Sequence, residues 1–360
     1  MTRLRNGVGI GISNIPTLSS KRRATAFTPL SLFAGGAQGV WYDDSDATTM
    51  FQNSNGTGTV GLEDPVGKQL DLSGNNNHRT QTTNPYRPIL SARYNLLTAT
   101  ATLATQSITT VATSYTIYFT GLGTVTLSGT YVGVFSAGTN TFTATAGTLT
   151  ATVVGSVLTA DIRPTNQTVT LPAYQAVTSS TVYDTVGFPQ YLKYNGSNSS
   201  LSTASINFTT TAQMSVFSGV RKLSTAEGII VLLGTGLTNI GSFFLDAQST
   251  RYQFQSKGTT AASPVSAASY PSPETATLAL LANISAPSLV GNRNGTQIVS
   301  STATQGTGNY DNYPMYFGSS AGTQYFFNGQ EYQTIIVGKT LTATEIANTE
   351  TYVNSKTKAY

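Results

Sequence analysis

YTIYFTGLGTVTLS (residues 115–128) alternates apolar or aromatic residues with Thr and Ser on either side of a glycine-bearing centre. Successive side chains of a strand point to opposite faces, so a period of two predicts two half-buried strands and not a helix. NTFTA (140–144) and TLTATVV (148–154) repeat the pattern, with glycine-containing turns between the runs. Several short strands at this spacing predict a small β-sandwich over residues 98–172. Only Asp161 and Arg163 are charged in that block, so its outer face is almost wholly hydroxyl. Charge is a usual guard against edge-to-edge strand pairing. Its absence implies that these edges are covered by a partner or by the neighbouring domain.

Outward from the block the strand signal continues. MSVFSGVRKL, GIIVLLG, GSFFLDA, YQFQSKG, MYFGSS and YFFNGQEYQTIIVG are strand-length runs every dozen or so residues. TLALLANI (277–284) is the longest apolar run, too short to span a bilayer and suited to a buried strand. On the N-terminal side, GVWYDDSDATTMFQ predicts a strand and then a helical turn at 47–51 capped by Asp43, Ser45 or Asp46. The chain closes on one helix. Thr342 and Glu345 form a T-x-x-E capping box, Leu341 and Ile346 flank it as a staple, and Ile346 and Val353 share one face.

Composition narrows the class. Charged residues make up 9% of 360, against about 25% in ordinary soluble domains, while hydrophobics reach 39%. Such a chain builds a core, and its Thr, Val and Tyr favour pleated structure. With no cysteine, disulfide frameworks and thiolate metal sites are excluded. The net charge of +4 is unevenly placed. Arg3, Arg5, Lys21, Arg22 and Arg23 precede the first acid, Asp43, and the remainder nets −1. Residues 1–35 therefore read as an extended basic arm on a neutral body, whereas a nucleic-acid binder carries its basic face on the folded part. GVGIGI (7–12) is too short and glycine-rich for a signal segment.

The catalytic motifs fail on context. GTGTVG (56–61) is followed by LEDPVGKQ, where Pro65 and Gly67 oppose the helix a dinucleotide site requires. GSSAG (318–322) precedes a strand, and no histidine follows it. VGKT (337–340) lacks the upstream glycine of a phosphate loop. His78 is the chain's one histidine and cannot build a zinc site alone. Paired-carboxylate chemistry would have Asp43, Asp44, Asp46, Asp71, Asp184, Asp246 and Asp311 to draw on, and their spacing picks out no pair. The sequons at Asn55, Asn195 and Asn294 follow from composition.

WYDDSD (41–46), GKQLDLSGNNNHRTQ (67–81), YDTVGFPQYLKYNGSNSSLST (183–203), GVRKL (219–223) and LTATEIA (341–347) together carry a resemblance. In this order they resemble the LamG-like, concanavalin A-like jelly-roll structural proteins of tailed bacteriophages. The resemblance covers about residues 36–97 and 173–360. It implies an all-β fold: a discontinuous LamG-like jelly-roll sandwich over 36–97 and 173–360, the inserted small β-sandwich at 98–172 and one C-terminal helix. It makes His78 part of a loop fingerprint, where Gly74 and the Asn run supply turn geometry. It also implies a rim Ca²⁺, for which Asp43, Asp71, Asn75 and Asn77 are the oxygen donors available. The family's FDGxDD is here Tyr194-Asn195-Gly196-Ser197-Asn198-Ser199, so both trailing acids are missing.

The expected function is a non-enzymatic virion protein on the particle surface, tail- or fibre-associated. Arg3, Arg5, Lys21, Arg22 and Arg23 would anchor it to other virion proteins. Its expected partners are those proteins, further copies of itself as a homo-oligomer, and a host-surface glycan, without nucleic acid or membrane. Tyr310, Asp311, Asn312 and Tyr313 in GNYDNYP (308–314) combine ring faces with amide and carboxylate groups, as sugar binding requires. The alternatives are a capsid decoration protein on the head and a polysaccharide-degrading tail enzyme.

Overall fold

The computed structural model describes residues 27–61, 63–92, 96–97, 103–110, 112–165, 190–357 and 359–360. The basic residues of the arm, Asp184 and most of YDTVGFPQ (183–190) lie outside them.

Two antiparallel sheets stack face to face. The eight-stranded sheet runs Thr296–Ser301, Ser288–Arg293, Glu274–Asn283, Gln213–Lys222, Asn328–Val337, Gln190–Asn195 and Ile89–Ala92. Its eighth strand, Gly39–Asp43, also pairs with Asn328–Val337. One side of that central strand is thus shared end to end. Gly39–Asp43 takes Gln333–Val337, and Gln190–Asn195 takes Asn328–Glu331. The nine-stranded sheet runs Ala261–Ala262, Arg251–Lys257, Ser242–Gln248, Gly228–Leu233, Asn312–Phe317, Leu201–Asn207, Arg79–Thr80, Lys68–Gln69 and Met50–Phe51. Inward-pointing Val40, Val216, Leu278, Ile336, Val231, Leu245 and Phe254 fill the space between the sheets. This is the all-β sandwich that the alternation predicts, and TLALLANI lies within it as a buried strand.

The C-terminal helix, Ala343–Thr357, lies on the outer face of the eight-stranded sheet. Its capping box is closed in both directions. Thr342 N–H donates to Glu345 at 2.8 Å, and Glu345 N–H donates to the Thr342 hydroxyl at 3.2 Å. Val353 and Leu341 are buried against Phe217 and Ile335. Gly219 permits the close approach, since a Cβ there would stand 1.8 Å from the Thr357 hydroxyl. The short 3₁₀ turn Pro29–Phe33 packs into the same layer with Leu32 and Phe33 buried. The folded body therefore begins by Phe27 and not at residue 36, because apolar side chains of the expected arm find partners on the helix. The turn after the first strand is 3₁₀, Ala47–Thr49, capped by Asp46, whose carboxylate accepts from Thr48 N–H at 3.0 Å.

Five strands of the inserted block, Gln106–Thr110, Thr113–Gly129, Gly133–Ala144, Gly147–Val154 and Val157–Pro164, form a sheet of their own. This is the expected small sandwich, with hydrogen bonds joining all five strands into one sheet that folds over its own core. The fold is at Thr120–Gly123, where the register with Gly133–Ala144 shifts between Phe119 and Thr124. The first half of the long strand pairs with Val157–Pro164 and the second half with Gly147–Val154. Tyr115, Ile117, Phe119, Val125, Leu127 and Phe142 pack inside as a separate core.

Candidate functional site

GKQLDLSGNNNHRTQ forms two short strands, Lys68–Gln69 and Arg79–Thr80, around a nine-residue turn. Asp71 organises it. One carboxylate oxygen accepts from Trp41 N–H and Ser73 N–H, both at 2.9 Å. The other accepts from the Ser73 hydroxyl at 2.7 Å and Asn77 N–H at 3.0 Å. Gly74 and Asn76 take left-handed backbone angles, φ +89° and +61°, which glycine and asparagine adopt most readily. The Asn75 amide donates to the Ala37 and Gly39 carbonyls at 3.1 and 3.2 Å, and Asn77 donates to Gly39 at 2.8 Å. The Tyr42 hydroxyl donates to the Asn77 carbonyl. The turn is thereby stapled to the first strand of the sandwich.

His78 completes the turn by accepting Asp71 N–H on Nδ1 at 3.0 Å. An accepting Nδ1 requires the neutral ring with its proton on Nε2. Partial burial, then the charge of Lys68, lowers its pKa against the opposing pull of Asp71. Its role is a structural acceptor.

The oxygens expected to hold Ca²⁺ are turned to other partners. Asp71 already receives four donors, and Asn75 and Asn77 present nitrogen to backbone carbonyls. Asp43 accepts from Ser45 N–H and hydroxyl at 3.0 and 2.6 Å and faces Lys356 Nζ at 3.0 Å. Among the described residues, no group of three or more His, Asp or Glu side chains converges. The residues as placed do not fit the ion, because neutral N–H and O–H donors occupy both oxygens of Asp71 and the Lys356 ammonium faces Asp43.

Between the sheets lies a polar cluster that spacing does not reveal. The buried Arg79 guanidinium donates twice to Glu331 at 2.8 and 2.9 Å and once to Asp44 at 2.9 Å. It also donates to the Gln69 side-chain carbonyl at 2.9 and 2.6 Å. Its carbon stands 4.4 Å from the Tyr42 ring centre and 4.8 Å from that of Phe317. The Tyr194 hydroxyl donates to Glu331 at 2.9 Å, and the Thr334 hydroxyl at 2.6 Å. Burial raises the Asp44 pKa well above the usual carboxylate range despite the pull of Arg79. The cluster sets the one guanidinium of Arg79 against both carboxylates, Asp44 and Glu331. Asp44, Arg79 and Glu331 are 0–3% exposed at their side chains, so no substrate reaches these carboxylates. They tie one sheet to the other.

The GNYDNYP loop does not assemble as a sugar platform. Tyr310 is 1% exposed, with its hydroxyl 2.6 Å from that of Ser256 and its ring edge-on to Phe243. Burial holds its pKa above that of an ordinary tyrosine. Tyr313 is half-buried against the main core. Asp311 accepts its neighbour's N–H, from Asn312, at 2.7 Å, and Asn312 is exposed. Of the expected four only Asn312 is exposed; Asp311 and Tyr313 are part-buried, and Tyr310 belongs to the core. Asp246 is 1% exposed on the outward face of the nine-stranded sheet, where burial and then the neighbouring Glu227 raise its pKa well above the carboxylate range. Ser320 of GSSAG is fully buried, and a loop follows it, not a helix. A small cavity of about 150 Å³ under the C-terminal helix, lined by Met214, Leu281, Val290, Leu341 and Ile346, is below the size of usual ligand pockets.

No family model matches the chain, and no curated protein matches it. Among solved structures, it is similar in part to the binding domain of botulinum neurotoxin serotype G, at 14% identity and a TM-score of 0.38, over 48% of this chain and 44% of that one. It is likewise similar to the binding domain of Paraclostridial Mosquitocidal Protein 1, at 14% identity and a TM-score of 0.37, over 46% and 43%. A third is the serotype D ligand-binding domain solved with N-acetylneuraminic acid, at 14% identity and a TM-score of 0.36, over 47% and 43%. The chain spans less than half the length of these structures. Likeness of this extent bears on neither ligand nor partner.

Proposed function

We propose that this chain is a non-enzymatic structural protein of a bacteriophage particle, displayed on the particle surface and associated with the tail or its fibres. One observation carries the reading. The motifs shared with the phage jelly-roll proteins are spent on joining the chain to itself. WYDDSD and GKQLDLSGNNNHRTQ supply the Asp71 turn and the Asp44 and Arg79 members of the inter-sheet cluster. LTATEIA caps the docked helix. A fingerprint whose acids and amides are bonded to its own chain is what a scaffold requires, and its Asp44 and Asp71 are buried against protein donors instead of facing an open cleft for glycoside chemistry.

Attachment to other virion proteins falls to the basic N-terminal residues, ordered against neighbouring subunits on assembly. Host-glycan contact remains part of the proposal, narrowed to the part-buried Asp311 and the exposed Asn312. The test is gold-labelled antibody on purified particles. Label at the tail tip or fibres supports the reading and directs a glycan array at the wild type and at Asp311→Ala/Asn312→Ala. Label over the head replaces tail association with decoration of the capsid. Particles without label overturn the virion role, and reducing-sugar release from host capsule or lipopolysaccharide overturns the non-enzymatic one.

A further inference from the structure

Three of the four ends of the sandwich sheets are short strands, and the fourth, Thr296–Ser301, has six residues. The nine-stranded sheet closes on the two-residue pieces Ala261–Ala262 and Met50–Phe51, and one end of the eight-stranded sheet is the four-residue Ile89–Ala92. Short edges of this kind limit pairing with other chains. The inserted sheet has no such device. Its strand Gly133–Ala144 is twelve residues long and pairs on one side only, with Thr113–Gly129. On the other side it makes no backbone hydrogen bond to any described residue. GVFSAGTNTFTA contains neither charge nor proline. Bent between Ser136 and Gly138, it offers two arms whose outer N–H and C=O groups pair with the backbone of no described residue, the Gly138–Ala144 arm about 24 Å long at ~3.4 Å per residue. Val134 on it is 67% exposed, and Val132 just before it is 76% exposed.

We propose that this edge is where two copies of the chain associate, strand to strand and antiparallel. An antiparallel copy of a strand offers donors where the first offers acceptors, so one edge is complementary to itself about a two-fold axis. Charge permits the approach. Asp161 and Arg163 are the insert's charged residues and pair with each other, so two inserts meet without net repulsion. The edge also bears no charge that would select an acidic or basic partner of another kind. The exposed valines beside it add apolar area to the contact. This inference stands independently of the virion reading.

The test uses the full chain in sedimentation equilibrium. Wild type should reach twice the 37.8 kDa chain mass as concentration rises. Thr139→Lys/Thr141→Lys places two charges on exposed, outward-facing positions of the strand and should remain at the monomer mass with an unchanged near-ultraviolet spectrum. Hydrogen exchange on the wild type needs no variant: amides of residues 133–144 should slow severalfold from dilute to concentrated solution. A wild type that stays monomeric, a lysine variant that dimerises as well as wild type, or exchange in 133–144 independent of concentration overturns the proposal.

Discussion

Replacing Arg79 by Met tests whether the inter-sheet cluster is held by charge. The substitution keeps the apolar stem over Tyr42 and Phe317 and removes five hydrogen bonds to Gln69, Asp44 and Glu331. The principal cost falls on Glu331, the carboxylate that Arg79 bonds twice, left 3% exposed at its side chain without a counter-charge. Losing one partner of a buried pair costs about 3–5 kcal/mol. Urea unfolding followed by fluorescence reads the sandwich directly, because Trp41 is the sole tryptophan and sits 6.1 Å from Tyr352 of the docked helix. Arg79→Met/Glu331→Gln should recover most of the loss. A deficit under about 1 kcal/mol at pH 7 would refute the reasoning.

Other outcomes follow from single contacts. His78→Ala should cost about 1 kcal/mol, one neutral hydrogen bond, and leave any glycan or particle binding unchanged. Because the His78 pKa is lowered on folding, the unfolded chain binds the proton first. Wild-type stability should fall as pH drops below about 6.5, and thermal melts of His78→Ala should show a shallower fall; an identical slope would remove His78 as its source. Thr342→Ala opens the capping box and should cost about 1 kcal/mol in urea unfolding, with no change refuting the cap. Adding Ca²⁺ or a chelator should leave the melting temperature unchanged; a rise that saturates with Ca²⁺ would show that oxygens assigned here to the Asp71 turn bind the ion. Deleting residues 1–26 should leave a folded body that no longer enters particles, and normal incorporation would refute anchoring by that segment.

The strands, the final helix and the Asp71 turn were legible because each depends on neighbours in the chain. Period-two alternation, a T-x-x-E box and a Gly-Asn turn act over a few residues, where backbone geometry leaves few choices. What remained hidden depends on which distant segments meet. Arg79 finds Asp44 35 residues away and Glu331 252 residues away. That meeting is set by a central strand whose side is divided between two others, an arrangement no local pattern encodes. Tyr310 looked like a sugar platform in its loop, yet the hydroxyl of Ser256, 54 residues distant, draws it into the core. Asn75 and Asn77 read as oxygen ligands, but the carbonyl of Gly39 turns their nitrogens inward. The sequence by itself determined the all-β class and its local joints. Only the tertiary structure decided which polar groups are spent inside the molecule and which strand edge is left open, because burial and pairing belong to the assembled sheets.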